Sequence, residues 1–486
     1  MSSNSERILP REGPVIARPP ALHTSATTRL METQTSVASL HETLMQKAGL
    51  ALARLALAVA PHAQTFWIAC GPGNNGGDGF AAAFFLQQWG KTPRISYIDN
   101  PAQPPDALAA RQKALSLGVD VSADMPEQFD ACMDCLFGIG TLRAFDETHS
   151  QWIAAMNSTS VPVIAADLPT GLNADTGATN GLHVKANYTL SLLTLKPGLF
   201  TGDGRAACGE IWFNNLGAAC TAAPVAELVS PVALAVRAHN THKGTYGDVA
   251  VIGGAAGMTG AAILAASAAL HGGAGRVFVG LLRDDAPAWD TSHPELMFRA
   301  PSSLCFDKMA VVAGCGGADA IASHLEKIIR ESAKLVLDAD ALNHLAGNAA
   351  LHALVCQRSP NSTVLTPHPL EAARLLGCNT AQVQADRLKA AQALADNFNA
   401  TVVLKGSGTI IASPGKTPRI NTSGNGLLAT GGTGDVLAGL IGAGLANGQL
   451  APAAACEAVY RHGAVANQWN HAESGALTAS GLSARL

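Results

Sequence analysis

Charged residues are scarce in this sequence, which also has no basic excess and no long apolar run. Only 14% of the 486 residues are charged and 48% are hydrophobic, a composition that argues against disorder and predicts large buried cores. The formal net charge of −4 gives no attraction to nucleic acid or to an anionic membrane surface. We therefore expect neither of them as a partner.

Targeting signals are also missing from the pattern. Residues 1–30 contain no apolar stretch of the kind that forms the centre of a signal peptide. The Ala- and Leu-rich run Leu50–Ala60 includes Arg54 and is far too short to cross a bilayer, so it predicts an amphipathic core helix. These features predict a cytoplasmic protein.

Cysteine spacing gives no support to a structural metal site. The ten cysteines are scattered, and Cys132 and Cys135 form a CxxC with no second pair at zinc spacing. This pair favours strand packing over a redox or metal role. Scattered cysteines in so long a chain favour a reducing compartment over a disulfide scaffold.

Length and pattern predict two α/β domains. The chain is longer than a typical single core, and strand-like and helix-like segments alternate as in a doubly wound sheet. The segment Ala218–Val236 carries no motif and predicts the connection, with domains over residues 1–225 and 232–486. Strand candidates in the first half are Thr65–Cys70, Arg94–Ile98, Asp130–Leu136, Val161–Ala166 and Tyr188–Leu193, with helices such as Phe80–Trp89 and Asp106–Leu117 between them.

The most distinctive motif of the first half is Gly71–Gly79, which reads GPGNNGGDG between a predicted strand and a predicted helix. Glycines let backbone amides approach a ligand, and a helix N-terminus favours phosphate. The motif contains GxGxxG, and Asp99 ends the next strand, where a ribose-binding acid would lie. Asn74, Asn75 and Asp78 add oxygens that suit a ligand together with a hard cation. The alternative is a Gly-rich turn with polar caps.

Two further loops are predicted to open onto the same edge of the sheet. Asp134 precedes the turn Phe137–Gly140, and Asp167 begins the loop Asp167–Leu172, which also supplies Thr170. Ligands of α/β sheets gather at the carboxyl ends of strands, so both loops could face one crevice. Each aspartate taken alone is equally well explained as a helix cap.

Together these segments resemble the YjeF N-terminal domain, the NAD(P)HX epimerase family, over roughly residues 29–216. The likeness also takes in Leu44–Gly49 and Leu195–Leu199. It implies a Rossmann-like three-layer fold, a hydrated dinucleotide as substrate and a bound potassium ion. It further implies that Asp167 is the acid/base or substrate-anchoring carboxylate.

The resemblance also implies a set of contact residues. Potassium would be coordinated by Asn75, Asp134 and Thr170, with Thr170 in place of the usual Ser. Ile139 stands where the family usually has Thr, and Thr141-Leu142 departs from the usual Leu. Contacts to the hydrated dinucleotide would come from Asn74, Asn75, Gly76, Gly77, Asp78, Gly138, Ile139, Gly140, Thr141, Leu142, Arg143 and Ala144.

The second half places polar segments after predicted strands. Thr259–Ala262 starts a predicted helix, where small residues suit either a flat ring on the backbone or close helix–strand packing. Leu337–Asn343 and Leu365–Glu371 each follow an apolar strand, and His368 in the latter is more often a cap than a catalyst. Lys405–Thr409 suit phosphate contacts, but no GK[ST] ends this loop, so it is not a P-loop.

The segment Asn425–Asp435 is the most informative of this half, because it runs from TGGTG into an apolar helix. Glycine amides at a helix N-terminus form an anion hole. Asp435 beside it could take the proton of an attacking hydroxyl as a phosphoryl group arrives. The alternative is a Gly-rich loop with Asp435 as a helix cap.

This half resembles the ADP-dependent NAD(P)HX dehydratase family, a branch of the ribokinase-like fold, over about residues 235–485. The resemblance implies NADHX and NADPHX as substrates and ADP with Mg²⁺ as co-substrate. One departure is Ala313–Gly317, where relatives carry a Gly-Pro-Gly-Leu-Gly-like turn. Nucleotide contacts are implied for Lys405, Gly406, Ser407, Gly408, Thr409 and Gly434, and hydrate contacts for Ala261, Gly316, His368 and Asp435.

Both resemblances together imply one repair enzyme for hydrated nicotinamide dinucleotides, which we expect to be a homo-oligomer. Hydroxide is a poor leaving group, and a phosphoryl group passed to the ring hydroxyl would make elimination possible. A chiral pocket should accept one epimer, so an epimerase domain would rescue the other. The alternatives are a small-molecule kinase, a dehydrogenase that uses Asp99, and a binding module like those relatives of the first domain that bind apolipoprotein.

Overall fold

The computed structural model describes residues 6–8, 19–38, 43–140, 144–231, 237–283, 285 and 289–486. The described chain divides into two compact units, with the boundary between Ala226 and Glu227. This division falls next to the predicted boundary. The predicted connection Ala218–Val236 is not free of regular structure, because residues 226–228 form a strand. A strand can form there because the backbone pairs in parallel with residues 419–420.

The first unit is a mixed sheet whose main strands run parallel. The strand order is β1-β9-β8-β7-β6-β3-β4-β5, with β1 antiparallel to β9 and the other pairs parallel. Its elements are β1 (Glu6–Ile8), β2 (Ala21–Leu22), α1 (Ser25–Ala38), α2 (Leu44–Val59), β3 (Thr65–Cys70), α3 (Asn74–Gln88), β4 (Thr92–Tyr97), α4 (Pro105–Ser116), β5 (Asp120–Ser122), β6 (Ala131–Cys135), α5 (Glu147–Ser158), β7 (Val163–Ala166), β8 (Tyr188–Leu192), α6 (Gly204–Ala207) and β9 (Glu210–Asn214).

Alternation along β3 explains the layers of this unit. Phe66 and Ile68 pack with α2 and α3 on one face, whereas Trp67 packs with Trp152 of α5 on the other. The α2 helix begins at a capping box of Thr43 and Gln46 and contains the predicted core helix. Three layers are therefore present, as expected.

The second unit is built around a longer sheet with the order β13-β12-β11-β14-β15-β16-β17-β18-β19-β10. The strands from β13 to β17 pair in parallel, and β18 lies antiparallel to both neighbours. Its elements are β10 (Ala226–Leu228), β11 (Asp248–Gly253), α7 (Thr259–His271), β12 (Arg276–Leu281), β13 (Met297–Phe298), β14 (Met309–Ala313), α8 (Ala322–Glu331), β15 (Lys334–Leu337), α9 (Asp340–Leu345), α10 (Ala349–Cys356), β16 (Thr363–Leu365), α11 (Pro369–Leu376), α12 (Thr380–Ala385), α13 (Arg387–Phe398), β17 (Thr401–Leu404), β18 (Ile410–Ala412), β19 (Arg419–Ile420), α14 (Thr433–Ala446), α15 (Ala451–Asn467), α16 (His471–Ser474) and α17 (Ala479–Ser483).

The core of the second unit lies between its sheet and apolar helices. Val249 and Val251 of β11 share a cluster with residues of α7 and α14. Most residues of α14 are buried, as expected for a helix that is apolar on all faces. The α/β class predicted for both halves is confirmed.

Three local predictions need correction or comment. The helix expected over Phe80–Trp89 begins earlier, at Asn74, so the polar residues of the GPGNNGGDG motif lie in its first turns. Asp134 lies inside β6, which occupies most of the predicted strand Asp130–Leu136. Cys132 and Cys135 are buried in the same strand as free thiols, which agrees with packing. Among the described residues, no helix is long and apolar enough to cross a membrane.

Candidate functional site

The first candidate site is a cavity of about 470 Å³ at the carboxyl ends of the strands of the first unit. Its wall includes Asn74, Asn75 and Asp78 from α3, and Asp167 from the end of β7. Only glycine fits at position 76 of the motif, because a Cβ there would overlap the carbonyl oxygen of Gly71. The turn therefore brings the α3 N-terminus and its polar side chains to the cavity.

Asp134 and Thr170 form a buried polar pair. The Asp134 carboxylate accepts the Thr170 amide and hydroxyl, both at 2.7 Å, and the Leu136 amide at 3.2 Å. The Thr170 hydroxyl also accepts the Phe137 amide at 3.0 Å. Burial raises the pKa of Asp134 to about 6, and these hydrogen bonds limit the rise. Two of the three residues expected to bind potassium are thus in direct contact.

Asn75 is the third predicted ligand, and it lies beside the same loop. A Cβ added to Gly138 would lie 3.4 Å from the Asn75 side-chain oxygen. The Asn75 amide nitrogen is buried and has no hydrogen-bond partner among the residues that the structure describes. A buried NH2 group of this kind is completed by a hydrogen-bond acceptor, such as an oxygen of a bound ligand. Carboxylate, hydroxyl and amide oxygens are all hard donors, so the set fits an alkali cation.

Asp167 is held in an uncommon backbone conformation, with φ of 66°. Its amide donates to Leu190 at 2.8 Å, and its carboxylate accepts the Leu192 amide at 3.1 Å. The carboxylate is also ion-paired with Lys196, whose side chain is fully buried. The left-handed conformation, rare outside glycine, is therefore fixed by neighbours from β8 and beyond it.

Acidic side chains dominate the charge of this cavity. Glu32 of α1, Asp78 and Asp167 all line it, and the Asn74 amide donates to Glu32 at 3.0 Å. Burial, with the nearby Asp167 and Glu32 carboxylates, raises the pKa of Asp78 well above its usual range. These surroundings favour the neutral form of the Asp78 carboxyl group.

Other predicted residues of this site fall into three groups. Gly138, Ile139 and Gly140 line the cavity, and Arg29 donates to the Ile139 carbonyl at 2.9 Å. Ala144 is exposed and does not line it. Thr141, Leu142 and Arg143 lie outside the described residues. Asp99, the acid of the dehydrogenase alternative, is exposed and ion-paired with Arg111 at 2.6 Å.

The second candidate site lies where parallel strands of the second unit end. Lys405 follows β17 and places its ammonium 2.8 Å from Asp338, which follows β15. The Thr366 hydroxyl donates to the same Asp338 oxygen at 2.7 Å. Burial lowers the pKa of Lys405, but the carboxylates of Asp338 and Glu371 outweigh it, so the net pKa is raised. Lys405 therefore remains a cation.

Asp435 lies in the first turn of α14, beside this ion pair. One side-chain atom each of Cys315, Asp338 and Asp435 lies within 4.8 Å of the others. Burial, followed by repulsion from Asp338, raises the pKa of Asp435 to about 7. A carboxyl group with this pKa can both accept and release a proton near neutrality.

The glycine residues directly before Asp435 lie close to neighbouring groups. Gly432 caps α14 with φ of 89°, and a Cβ added to Gly434 would lie 3.4 Å from the Lys405 ammonium. Inside the helix end, His462 is 2.8 Å from the Thr433 carbonyl, and burial lowers its pKa to about 4. His462 is therefore a neutral structural donor.

The remaining predicted residues of the second site have defined positions. Ala261 and Gly316 are neighbours, since a Cβ at Gly316 would lie 2.9 Å from the Ala261 Cβ. His368 caps α11: its ring accepts the Glu371 amide at 3.3 Å, and Glu371 accepts the His368 amide at 2.8 Å. The predicted capping role of His368 is present, and its ring is half-exposed.

Sequence reasoning did not assign several residues that shape these sites. Arg387 is buried, and it donates to the Leu404 and Lys405 carbonyls at 3.3 and 3.2 Å. These hydrogen bonds fix the backbone at the start of the loop Lys405–Thr409. Asp338 in the segment Leu337–Asn343 and Lys196 in the segment Leu195–Leu199 were not assigned a role from the sequence. Asp338 could have been found because it directly follows a predicted strand. Lys196 could have been found because it lies in a segment that resembles the family of the first domain.

A separate cavity of about 940 Å³ lies near the start of α7. Its lining includes Arg283, Arg299 and His324, and Arg283 donates to the Thr259 hydroxyl at 3.1 Å. These side chains favour an anionic part of a ligand.

The thiol and carboxylates near Asp435 do not suit Mg²⁺ as a set, because a thiol is a soft donor. Mg²⁺ is better carried by nucleotide phosphates.

Comparison with known proteins agrees with this geometry. Residues 41–198 match the family model described as YjeF-related protein N-terminus. Residues 249–486 match the one described as NAD(P)H-hydrate dehydratase. Each match contains one of the two candidate sites.

Relatives match over most of the chain. The bifunctional NAD(P)H-hydrate repair enzyme Nnr of Escherichia coli is 35% identical over 87% of this chain and 84% of its own length. The ADP-dependent (S)-NAD(P)H-hydrate dehydratase of Neisseria meningitidis is 46% identical over 49% of this chain and 82% of its own. A solved ADP/ATP-dependent NAD(P)H-hydrate dehydratase of Bacillus subtilis is 30% identical, with a TM-score of 0.45, over 52% of this chain and 91% of that one.

The extent of the first match covers both units, and both family models fall on the units that carry the sites. The chain therefore belongs to the family of bifunctional NAD(P)H-hydrate repair enzymes.

Proposed function

We propose that this protein restores hydrated nicotinamide dinucleotides to their reduced form, with one step in each unit. The first unit interconverts the R and S epimers of NADHX and NADPHX. The second dehydrates the S epimer to NADH or NADPH at the expense of ADP. The observation that carries this proposal is that one chain of this family has two separate polar sites, one at the strand ends of each unit.

In the first unit, the substrate lies in the cavity between α3 and the loop after β7. Asp167 acts on the hydrated ring or anchors it. The dinucleotide contacts come from Asn74–Asp78 and from Gly138–Ala144. Asn75, Asp134 and Thr170 hold a potassium ion, which supplies fixed positive charge beside the substrate. The oxygen-rich donor set supports this assignment.

In the second unit, Asp435 takes the proton of the ring hydroxyl as that oxygen receives a phosphoryl group. Amides of Gly431–Gly434 at the start of α14 stabilise the transferring group, since a helix N-terminus favours anions. The loop Lys405–Thr409 and Gly434 hold ADP, which brings Mg²⁺ on its phosphates. Ala261, Gly316 and His368 line the hydrate site with Asp435. Departure of the phosphorylated oxygen then restores the ring.

The setting of these reactions is proposed on chemical grounds. All ten cysteines are free thiols, which suits a reducing compartment such as the cytoplasm. We also propose a homo-oligomer. Domains over residues 1–225 and 232–486 would each carry one activity.

One experiment tests the whole proposal. A mixture of both NADHX epimers is incubated with the full chain, with and without ADP, and reduced cofactor is followed by absorbance. We expect complete conversion of both epimers with ADP and none without it. Conversion of only half of the mixture would refute epimerisation, and stable accumulation of a phosphorylated hydrate would favour a kinase.

A further inference from the structure

A cation that the proposed roles do not use lies next to the cavity of the first unit, where it is the ion-pair partner of the cavity residue Asp167. Lys196 belongs to the segment Leu195–Leu199, and its side chain is fully buried. Its ammonium is ion-paired with Asp167 and donates to the Leu192 carbonyl at 2.7 Å. The Ser191 hydroxyl lies 3.4 Å away. Such a buried lysine is costly unless it is paired, so the pair with Asp167 is a fixed part of the site.

Asp78 reaches the same cavity from α3 in a different state. Within the described part of the chain, its carboxyl group has no hydrogen-bond or ion-pair partner. The charged groups around it are Asp167 and Glu32, and the Cys70 and Cys135 thiols lie near it in the strands below. Burial and the two carboxylates raise its pKa. The cations Arg29 and Lys196 act on Glu32 and do not pair with Asp78.

Two carboxyl groups of one cavity thus have different surroundings, because Asp167 has an ion-pair partner and Asp78 lies among carboxylates. An adjacent ammonium favours the ionised form of a carboxyl group, and burial beside like charges favours the neutral form. Environments that separate two carboxyl groups in this way assign one as acid and the other as base. The assignment rests on geometry: Asp167 is paired with Lys196, and Asp78 is not.

We propose that Asp78 and Asp167 form the proton-transfer pair of the epimerase, with Asp78 as acid and Asp167 as base, and that Lys196 is the positioning residue that keeps Asp167 ionised. This inference rests on the proposed epimerase function and extends it to two further residues. It gives Asp78 a catalytic role beyond a contact to the dinucleotide.

The chemistry balances as follows for one direction. The Asp78 carboxylic acid gives its proton to the hydroxyl of the hydrated ring carbon. The C–O bond breaks, both of its electrons leave with the oxygen as water, and the lone pair of the adjacent ring nitrogen forms a C=N bond. Water then adds to the other face of that carbon and gives one proton to the Asp167 carboxylate. In the reverse direction the two carboxyl groups exchange roles, and solvent re-equilibrates their protons between turnovers.

The decisive variant is Asp78→Asn, which keeps the size of the side chain but cannot donate this proton. A positioned general acid contributes about 10²–10⁴-fold to rate, so we expect kcat for epimerisation to fall by a factor in that range with little change in KM. The matched control is Asp124→Asn, an exposed carboxyl group of the same unit that does not line the cavity. Its epimerisation rate should stay within about threefold of wild type.

A second variant tests the role of Lys196. Lys196→Met removes the ammonium and keeps an apolar stem of similar length. Because Asp167 then lacks its counter-charge, the acidic limb of the epimerisation rate against pH should move to higher pH, whereas Lys196→Arg should return it toward wild type. A lysine with only a packing role would lower the rate equally at every pH.

Three outcomes separate the possible failures. Dehydration of pure S epimer by each variant, in the other unit of the same chain, reports that the preparation is active. If wild type itself does not epimerise, the proposed function fails. If wild type epimerises and Asp78→Asn does so at a similar kcat, or if Lys196→Met leaves the pH profile in place, only the acid–base assignment is overturned.

Discussion

Replacement of Asp435 by Asn should lower the activity of the second unit and raise its stability at high pH. Asp435→Asn keeps the shape of the side chain next to Cys315 and Asp338 but removes its charge and its capacity as a base. Since a positioned general base contributes about 10²–10⁴-fold, we expect ADP-dependent dehydration to fall by a factor in that range. Nucleotide affinity should change little, because Lys405 and the glycine amides remain.

The same change should stabilise the fold at high pH. The pKa of Asp435 is raised from its ordinary 3.8 to about 7 by burial and by Asp338, and each pKa unit corresponds to about 1.4 kcal/mol. The ionised carboxylate therefore costs up to about 4 kcal/mol above pH 7. Asn must also be buried as a polar group, so a net gain of about 1–3 kcal/mol is expected.

The sign of the pH dependence follows from the raised pKa. The folded state binds the Asp435 proton more tightly than the unfolded state, so this group favours unfolding more as pH rises from about 4 to about 7. The advantage of Asn over Asp should therefore be largest above pH 7 and should vanish toward pH 4.

Two measurements on one preparation decide the matter. Thermal or denaturant unfolding of wild type and Asp435→Asn at several pH values gives the stability difference, and initial rates on S-NADHX with ADP give the activity. The wild-type rate should also show an acidic limb near pH 7 that is lost in the variant. If Asp435→Asn dehydrates at the wild-type rate, or is less stable at pH 8, then Asp435 is neither the base nor a strained buried charge.

The other predictions concern the potassium site, the nucleotide site and the domain boundary. Asp134→Ala should impair epimerisation and leave dehydration of the S epimer intact; retention of full, potassium-dependent epimerisation would contradict the ion assignment. Lys405→Ala should weaken ADP binding by about 1.5–3 kcal/mol, the range for a charge-assisted hydrogen bond, as measured by calorimetry, while epimerisation is unchanged. Fragments 1–225 and 232–486 should each be soluble with one activity, and aggregation of both would refute this boundary.

Local features of the sequence predicted the positions of the strand ends well. Thr65–Cys70 is a strand at the predicted residues. A short apolar run that ends at a glycine turn is typical of a strand buried on both faces of a parallel sheet. Asp167, Asp338 and Lys405 each directly follow a strand, so their place at the carboxyl edge could be predicted. The helix start at Asn74 was missed because the same glycines and asparagines are typical of loops.

The pairs between these residues could not be predicted from the sequence. Lys405 and Asp338 are 67 residues apart along the chain, and only the order of β15, β16 and β17 brings them together. Arg387 gave no signal, because a helical arginine is usually exposed. Burial, which sets the pKa of Asp435, depends on packing by distant segments and has no local sequence pattern.

The two sites share one arrangement despite their different proposed chemistry. In each unit an aspartate directly follows a parallel strand and is ion-paired with a lysine: Asp167 with the buried Lys196, and Asp338 with the partly exposed Lys405. In each, a further carboxyl group belongs to the first turns of a helix that follows a glycine-rich turn.

Within the described residues, that further carboxyl group is not the ion-pair partner of the lysine. Burial and the neighbouring carboxylates raise the pKa of Asp78, and likewise that of Asp435. The lysine thus has an effect beyond its own partner, because it fixes one carboxylate as a charge that acts on the other group. A group that transfers protons must be able to hold and release a proton, and a raised pKa gives the helix carboxyl group of each unit this capacity. On this argument, loss of either lysine should alter the pH dependence of its own unit's reaction and leave that of the other unit unchanged.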